Sequence, residues 1–213
     1  MRTVRVDMWT DLGCPWGYVG RRRLELGFER AKMDAALDLR LHAFELDPGS
    51  RTTTISIPKI FVRKHGGTVD DAIAAESWVA GLAHEVGLPF TTDRLASNTH
   101  DVLRVLQLAR THGLEASWFA QLQRGYFGGT INPFDPAELT RSAVAGGMDA
   151  GEVSDVLSGN RFEAEVARDR EEALDRGATG VPYIVIDDRV ALAGGRTVSD
   201  YAHAFTSQDN QRC

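Results

Sequence analysis

Cysteine is scarce in this chain: two occur among 213 residues, Cys14 and Cys213. A disulfide-stapled scaffold needs more than that, so this class is excluded. Long apolar runs are missing too. No stretch of 18 or more apolar residues occurs, which leaves no segment able to span a bilayer as a helix. Basic charge is not in excess, since 24 lysines and arginines face 30 acidic residues for a formal net charge of −6. Neither nucleic acid nor an anionic membrane is therefore an expected partner. The opening run Met1-Arg2-Thr3-Val4-Arg5-Val6-Asp7 has no apolar signal core and no cleavage site, so a cytoplasmic location is expected. His42, His65, His84, His100, His112 and His203 show no metal-ligand spacing among themselves or with Cys14, and no metal site is expected. Gly66-Gly67 and Gly128-Gly129 do not form a phosphate-loop pattern, and internal repeats are lacking. The basic run Arg21-Arg22-Arg23 reads as a solvated helix face.

What is present is an ordinary globular composition, 43 % hydrophobic and 25 % charged, long enough for one large domain or a domain with an insertion. The stretch that organises it is Asp11-Leu12-Gly13-Cys14-Pro15-Trp16-Gly17-Tyr18. Before it, Val4, Val6, Met8 and Trp9 alternate with polar residues as in a strand. After it, Pro15 is suited to a first helical position, where its missing N–H costs nothing. Cys14 thus stands at a helix N-cap, where free backbone N–H groups and the positive end of the helix dipole favour thiolate. That placement makes it a candidate nucleophile. The plainer alternative is a buried structural cysteine.

The pattern predicts a strand over 3–9, a helix over 15–33 and a second strand over 38–46 that ends at the turn Asp47-Pro48-Gly49. Strand, helix, strand in so short a span is a βαβ unit with a right-handed crossover. Strand patterning then disappears over 58–159, where helices are expected at 69–86, 98–111, 114–127, 136–145 and 151–157, with Asn98-Thr99 capping the second of them. A charged helix over 161–176 precedes Gly180-Val181-Pro182, a strand, the turn Asp187-Asp188, a second strand over 190–193, Gly194-Gly195 and a last helix over 198–205. Residues 1–57 and 160–206 therefore read as one α/β domain, 58–159 as a helical subdomain inserted into it, and 207–213 as a flexible tail.

A βαβ unit with Cys-Pro-Trp at its first helix, a large helical insertion and a Val-Pro-led β-hairpin resembles the thioredoxin fold in its DsbA-type arrangement. More narrowly the chain resembles the FrnE-like subfamily, grouped with 2-hydroxychromene-2-carboxylate isomerases and kappa-class glutathione transferases. Asp7-Met8-Trp9-Thr10-Asp11, Cys14-Pro15-Trp16-Gly17-Tyr18-Val19-Gly20, Phe44-Glu45-Leu46-Asp47-Pro48, Gly87-Leu88-Pro89-Phe90, Asn98-Thr99 and Gly180-Val181-Pro182-Tyr183 carry this resemblance. It implies that Cys14 is the attacking thiolate, flanked by Pro15 and Trp16. It also implies that Val181-Pro182 is a cis-proline loop whose Val181 backbone pairs with an extended substrate, and that Asn98 and Thr99 lie near the active-site face. For these two the alternative is a plain helix cap.

The sequence departs from the usual Cys-Pro-Trp-Cys of such enzymes by placing Gly17 where the resolving cysteine belongs. In a dithiol enzyme that second thiol displaces the bound partner from the mixed disulfide. Three readings follow. The first is a monothiol oxidoreductase in which Cys14 exchanges with protein or small-molecule disulfides and an external thiol, or Cys213 reached from the tail, resolves the intermediate. The second is a thiol-dependent isomerase or transferase; those relatives generally use Ser at the Cys14 position and a Ser-Asp pair where this chain reads Gly194-Gly195-Arg196, leaving Arg196 either as a carboxylate contact or as a surface arginine with no ligand. The third is a non-catalytic binding protein on the same fold. No tightly bound cofactor is expected, with a low-molecular-weight thiol as co-substrate. Relatives often dimerise, which makes a homodimer the matching expectation.

Overall fold

The structure, a computed structural model, describes residues 2–50 and 52–209. A first strand, β1 (Arg2–Thr10), leads through the Cys14 turn into α1 (Pro15–Ala31) and returns as β2 (Ala35–Ala43), parallel to β1 with Val6 opposite Leu39 and Trp9 opposite His42. Near the other end, β5 (Tyr183–Ile186) and β6 (Val190–Ala193) form a hairpin, and β5 lies antiparallel to β1. The sheet order is β2-β1-β5-β6, so β1 is central and the Cys14 turn leaves from mid-sheet.

The pleat sorts the side chains of β1 to opposite faces. Val4, Val6 and Met8 enter the main core with Leu41, Ile184 and Ile186, against Tyr18, Val19 and Leu24 of α1 and Tyr201 and Phe205 of α9 (Val198–Asp209). Asp7 and Trp9 face the other way, toward α8 (Glu163–Asp175). There the Trp9 indole stacks on His42 at 4.6 Å and donates to the Asp169 carbonyl at 2.8 Å. His42 in turn contacts Asp7 Oδ1 at 2.9 Å and Arg110 at 3.2 Å, and Arg110 pairs with Asp169 at 2.9 Å. Burial alone would lower the His42 pKa, but Asp169 and Asp7 outweigh it and hold it above its ordinary value. The ligand atoms of His42, Asp169 and Glu172 gather within 4.8 Å, yet His42 and Asp169 are already committed to this charged clasp.

Between β2 and α8 the chain builds α2 (Ile57–His65), α3 (Val69–Glu85), α4 (His100–Thr111), α5 (Glu115–Phe127), α6 (Pro136–Ala145) and α7 (Ala150–Ser158). Two short strands, β3 (Ile55–Ser56) and β4 (Leu95–Ala96), pair antiparallel and tie the start of this segment to the approach of α4. Among the described residues no helix is long and apolar enough to cross a membrane.

Four details differ from the sequence reading. The second strand sits three residues earlier than 38–46, because β2 is held in register with all of β1, and Phe44 to Leu46 leave the sheet. The helix α2 and the strand pair β3–β4 interrupt a segment expected to hold helices only from 69 onward. Arg21 is 7 % exposed and paired with Glu25, not solvated, because α1 turns that side chain inward. The tail expected from 207 continues the last helix to Asp209, and Cys213, the candidate resolving thiol, lies outside the described residues.

Candidate active site

Cys14 caps α1 in extended conformation, and Pro15 starts the helix as its sequence position requires. Its sulfur accepts the Gly17 N–H at 3.4 Å and donates to the Val181 carbonyl at 3.3 Å. The Val181–Pro182 bond is cis, and Pro182 is buried with its carbonyl accepting the Gly194 N–H at 2.9 Å. The Val181 carbonyl therefore faces the thiol directly.

Gly17 is where space decides the chemistry. A β-carbon there would stand 2.5 Å from Thr10 Oγ1, well inside contact distance. The hydroxyl of Thr10, at the end of β1, fills the place that a second cysteine would enter, and it has no hydrogen-bond partner among the described residues. Gly195 serves Trp16 in a similar way: a β-carbon on Gly195 would meet the indole at 2.8 Å, so the glycine lets the ring lie against the loop.

Asp11 is buried beside Cys14. One oxygen accepts the Gly13 N–H at 3.0 Å, the other the Leu46 N–H at 2.8 Å, and Thr99 adds a side-chain bond. Burial nevertheless outweighs these bonds and raises the Asp11 pKa. Cys14 is 5 % exposed, and burial pushes its thiol up to about 12; the Asp11 charge adds to this, against the opposing N–H bonds from Gly17 and Trp16. The helix N-terminus does favour thiolate, as its position predicts, but loss of solvation is the larger effect. The resting group is a thiol.

Above Cys14 opens a cavity of about 450 Å³. Its floor includes Asp11, Cys14 and Trp16, and its walls come from Ile60 and Phe61 of α2, Glu76 and Trp78 of α3, Ala96 of β4, and Arg94 and Thr99 on either side of that strand. Trp78 is 61 % exposed and meets Trp16 edge-on at 5.3 Å, forming one lip. Arg94 is buried, pairs with Glu76 at 2.7 Å and lies over the Phe90 ring at 4.3 Å.

The sequence-derived candidates divide clearly. Cys14, Pro15, Trp16 and Thr99 line the cavity, whereas Gly17, Val181 and Pro182 meet the sulfur or its helix from behind. Asn98 stands off from it, with its amide donating to Glu45 at 3.0 Å and to Ser50 Oγ at 3.1 Å while its oxygen accepts the His100 N–H at 2.8 Å. That last bond is the α4 cap; Thr99, at the N-cap position, makes no side-chain cap bond. Arg196 is exposed and does not reach the cavity lining. Missed from sequence were Thr10, Asp11 in its buried role, and the α2–α3 wall. The spacing Ile57, Ile60, Phe61 ahead of Gly66-Gly67 was the available signal for that wall.

A DSBA-like thioredoxin domain matches residues 5–206. A structure described as a probable DsbA oxidoreductase from Streptomyces coelicolor is similar at 31 % identity and a TM-score of 0.90, covering 99 % of this chain and 92 % of that one. A cytosolic disulfide reductase, DsbM from Pseudomonas aeruginosa, solved with GSH, shares the fold at 20 % identity and a TM-score of 0.68, covering 97 % and 99 %. A 2-hydroxychromene-2-carboxylate isomerase shares it at 18 % and 0.68, covering 98 % and 96 %. No curated protein matches the chain.

Proposed function

The chain belongs to the DSBA-like thioredoxin family, and we propose that it is a thiol–disulfide oxidoreductase that works through Cys14 alone. The observation that carries this reading is a thiol on the floor of a cavity, at a helix N-terminus, with Thr10 filling the place of a second cysteine. Cys14 sulfur attacks one sulfur of a disulfide R–S–S–R, the S–S bond breaks, and the departing RS⁻ takes the proton that Cys14 loses. The product is a Cys14–S–S–R mixed disulfide and RSH. An external thiol R′SH then attacks the R sulfur, R–S–S–R′ leaves, and Cys14 regains its proton. Asp11 and the Val181 carbonyl hold the resting proton on sulfur, and the Gly17 N–H stabilises the thiolate once it forms. A cytoplasmic setting, where thiols are kept reduced, supplies the resolving partner.

One observation favours a second reading. Burial of Cys14 and a pKa pushed up to about 12 suit a binding protein whose cysteine is merely part of the wall. Intact-mass spectrometry after exposure to a low-molecular-weight disulfide separates the two. The oxidoreductase gives a single adduct on Cys14 that added thiol removes, and Cys14→Ser gives none at that position. A native protein that stays unmodified while the unfolded chain reacts at Cys14 would establish the binding reading instead. The isomerase reading loses the carboxylate contact expected of Arg196, which lies outside the cavity.

A further inference from the structure

The basic run Arg21-Arg22-Arg23 has no part in the reaction at Cys14, and two of its members line a recess of their own. This recess lies between α1, the turn Val86-Gly87-Leu88 that follows α3, and α5, and holds about 340 Å³. Arg21 and Arg22 enter it from α1 and Arg124 from α5, and among the described residues no acidic side chain lines it. That is an uneven distribution for a chain with a net charge of −6. Glu25, outside the lining, is shared: Arg21 Nη1 bonds to one of its oxygens and Arg22 Nη1 meets the other at 3.4 Å, while the exposed Glu29 stands 3.8 Å from Arg22. Arg124 has no carboxylate partner among the described residues, and its Nη1 meets the Gly87 carbonyl at 3.5 Å. Arg21 is buried, and its Nε has no hydrogen-bond partner among the described residues. Burial holds the Arg21 pKa below its ordinary value despite Glu25, as expected of a guanidinium short of compensating charge. Tyr18 marks where the cations converge. Its hydroxyl donates to the Pro89 carbonyl at 3.2 Å, and burial pushes its pKa up to about 12 against the opposing fields of Arg124 and Arg21.

Three guanidiniums on two helices suit a ligand whose acceptors point several ways. A carboxylate is filled by one bidentate fork, whereas a phosphoryl group carries a charge of about −1.5 to −2 at neutral pH and three acceptor oxygens that separate forks can share. The volume of the recess is that of a small-molecule site, and an anionic bilayer would repel a chain of net charge −6. We propose that this recess binds the phosphoryl group of a soluble small molecule, a phosphate ester or a diphosphate. Arg22 and Arg124 contact its oxygens from the two helices, and Arg21 supplies the buried charge beneath them. Bound there, the ligand ties α1 to α5 without touching Cys14.

Sodium pyrophosphate is the probe, titrated into the full chain by isothermal calorimetry at an ionic strength held constant with chloride. Saturable one-to-one binding is expected. Arg22→Gln and Arg124→Gln should each weaken it by about tenfold or more, as loss of a charge-assisted hydrogen bond does. Arg141→Gln, on α6 at a side chain 70 % exposed and outside the recess, should bind like the wild type. Thermal unfolding without the probe verifies that each variant is folded, and Arg124→Gln, at an exposed position, carries the test alone if Arg22→Gln is not. With the probe present, the wild-type midpoint should rise and those of Arg22→Gln and Arg124→Gln should move less. No saturable binding of pyrophosphate, or equal affinity in the wild type and all three variants, overturns the site. Citrate binding as tightly as pyrophosphate through the same two arginines overturns the phosphoryl assignment. Sedimentation of the protein with phosphatidylglycerol vesicles through Arg22 and Arg124, with no binding of pyrophosphate, overturns the soluble ligand in favour of a lipid headgroup.

Discussion

Placing a β-carbon at position 17 should cost stability, and Thr10 is the reason. Alanine in place of a helical glycine ordinarily gains about 0.5–1 kcal/mol. Here the new carbon would stand 2.5 Å from Thr10 Oγ1, where van der Waals contact begins near 3.4 Å. Overpacking of this kind costs about 1–3 kcal/mol, so Gly17→Ala should be net destabilising, by about 1 kcal/mol at the middle of these ranges. Thr10→Ala gives up one methyl, worth about 1 kcal/mol. It also removes a buried hydroxyl without a partner, whose burial costs about 1–3 kcal/mol. Alone it should therefore be close to neutral. In the double variant the collision is gone and the ordinary helix gain returns, so the sign of the Gly17→Ala effect reverses between the two backgrounds. Urea unfolding under reducing conditions, set out as a double-mutant cycle, reads a coupling of about 1–3 kcal/mol. Gly17→Cys should follow the same cycle, and after oxidation a disulfide between Cys14 and the introduced thiol should close readily only with Thr10→Ala. Gly17→Ala stabilising the wild-type background as much as the Thr10→Ala background would refute the claim that Thr10 occupies the site.

Three further outcomes are expected. Because Cys14 is pushed up to about 12, its alkylation rate in the native protein should climb tenfold per pH unit from pH 7 to 10 without levelling; a plateau below pH 8 would contradict a buried, protonated thiol. Glu76→Ala leaves Arg94 as an uncompensated buried charge and should cost about 3–5 kcal/mol in chemical unfolding, whereas an unchanged midpoint would show that the aromatic rings around Arg94 suffice. His42 is raised above its usual value by Asp169 and Asp7, so its contribution is complete below pH about 6.5 and is lost as pH rises through the folded-state pKa. Asp7 and Asp169 are lowered, burial being outweighed by their bonds to His42 and by Arg5 and Arg110 respectively, so their contribution is lost as pH falls below about 4. Stability should thus be greatest between those limits, and His42→Gln should flatten its decline above pH 6.5; a wild-type profile flat from pH 5 to 8 would count against the clasp.

What the sequence discloses and what it hides follow a physical division. Local chemistry is legible. Pro15 after Cys14 gives the helix start, and the breaks at Asp135-Pro136 and Gly146-Gly147 bracket α6 at its observed bounds, Pro136–Ala145. Asp187 and Asp188, both at positive φ, make the hairpin turn where two short polar side chains tolerate it. Long-range matters are not legible in the same way. The register of β2 depends on pairing with β1, so Phe44 to Leu46, apolar enough to extend the strand by pattern, instead leave it, and the Leu46 N–H binds Asp11. The N-cap position of Cys14 is visible in the motif, but the burial that reverses its titration is not. The contact between Thr10 and Gly17, seven residues apart, exists only because β1 and α1 meet end to end at the turn. Nor does Asn98 announce its bond to Glu45, which depends on where the inserted segment settles.

Exchange through a single thiol is the point that most needs a direct test. The measurement is the rate of thiol–disulfide exchange between a small-molecule disulfide and a small-molecule thiol, followed at equal protein concentration for the wild type, Cys213→Ser and Cys14→Ser. Wild type and Cys213→Ser should accelerate the exchange equally, and Cys14→Ser should fall to the uncatalysed rate. Loss of activity in Cys213→Ser, or a wild type no faster than Cys14→Ser, would contradict exchange through Cys14 alone.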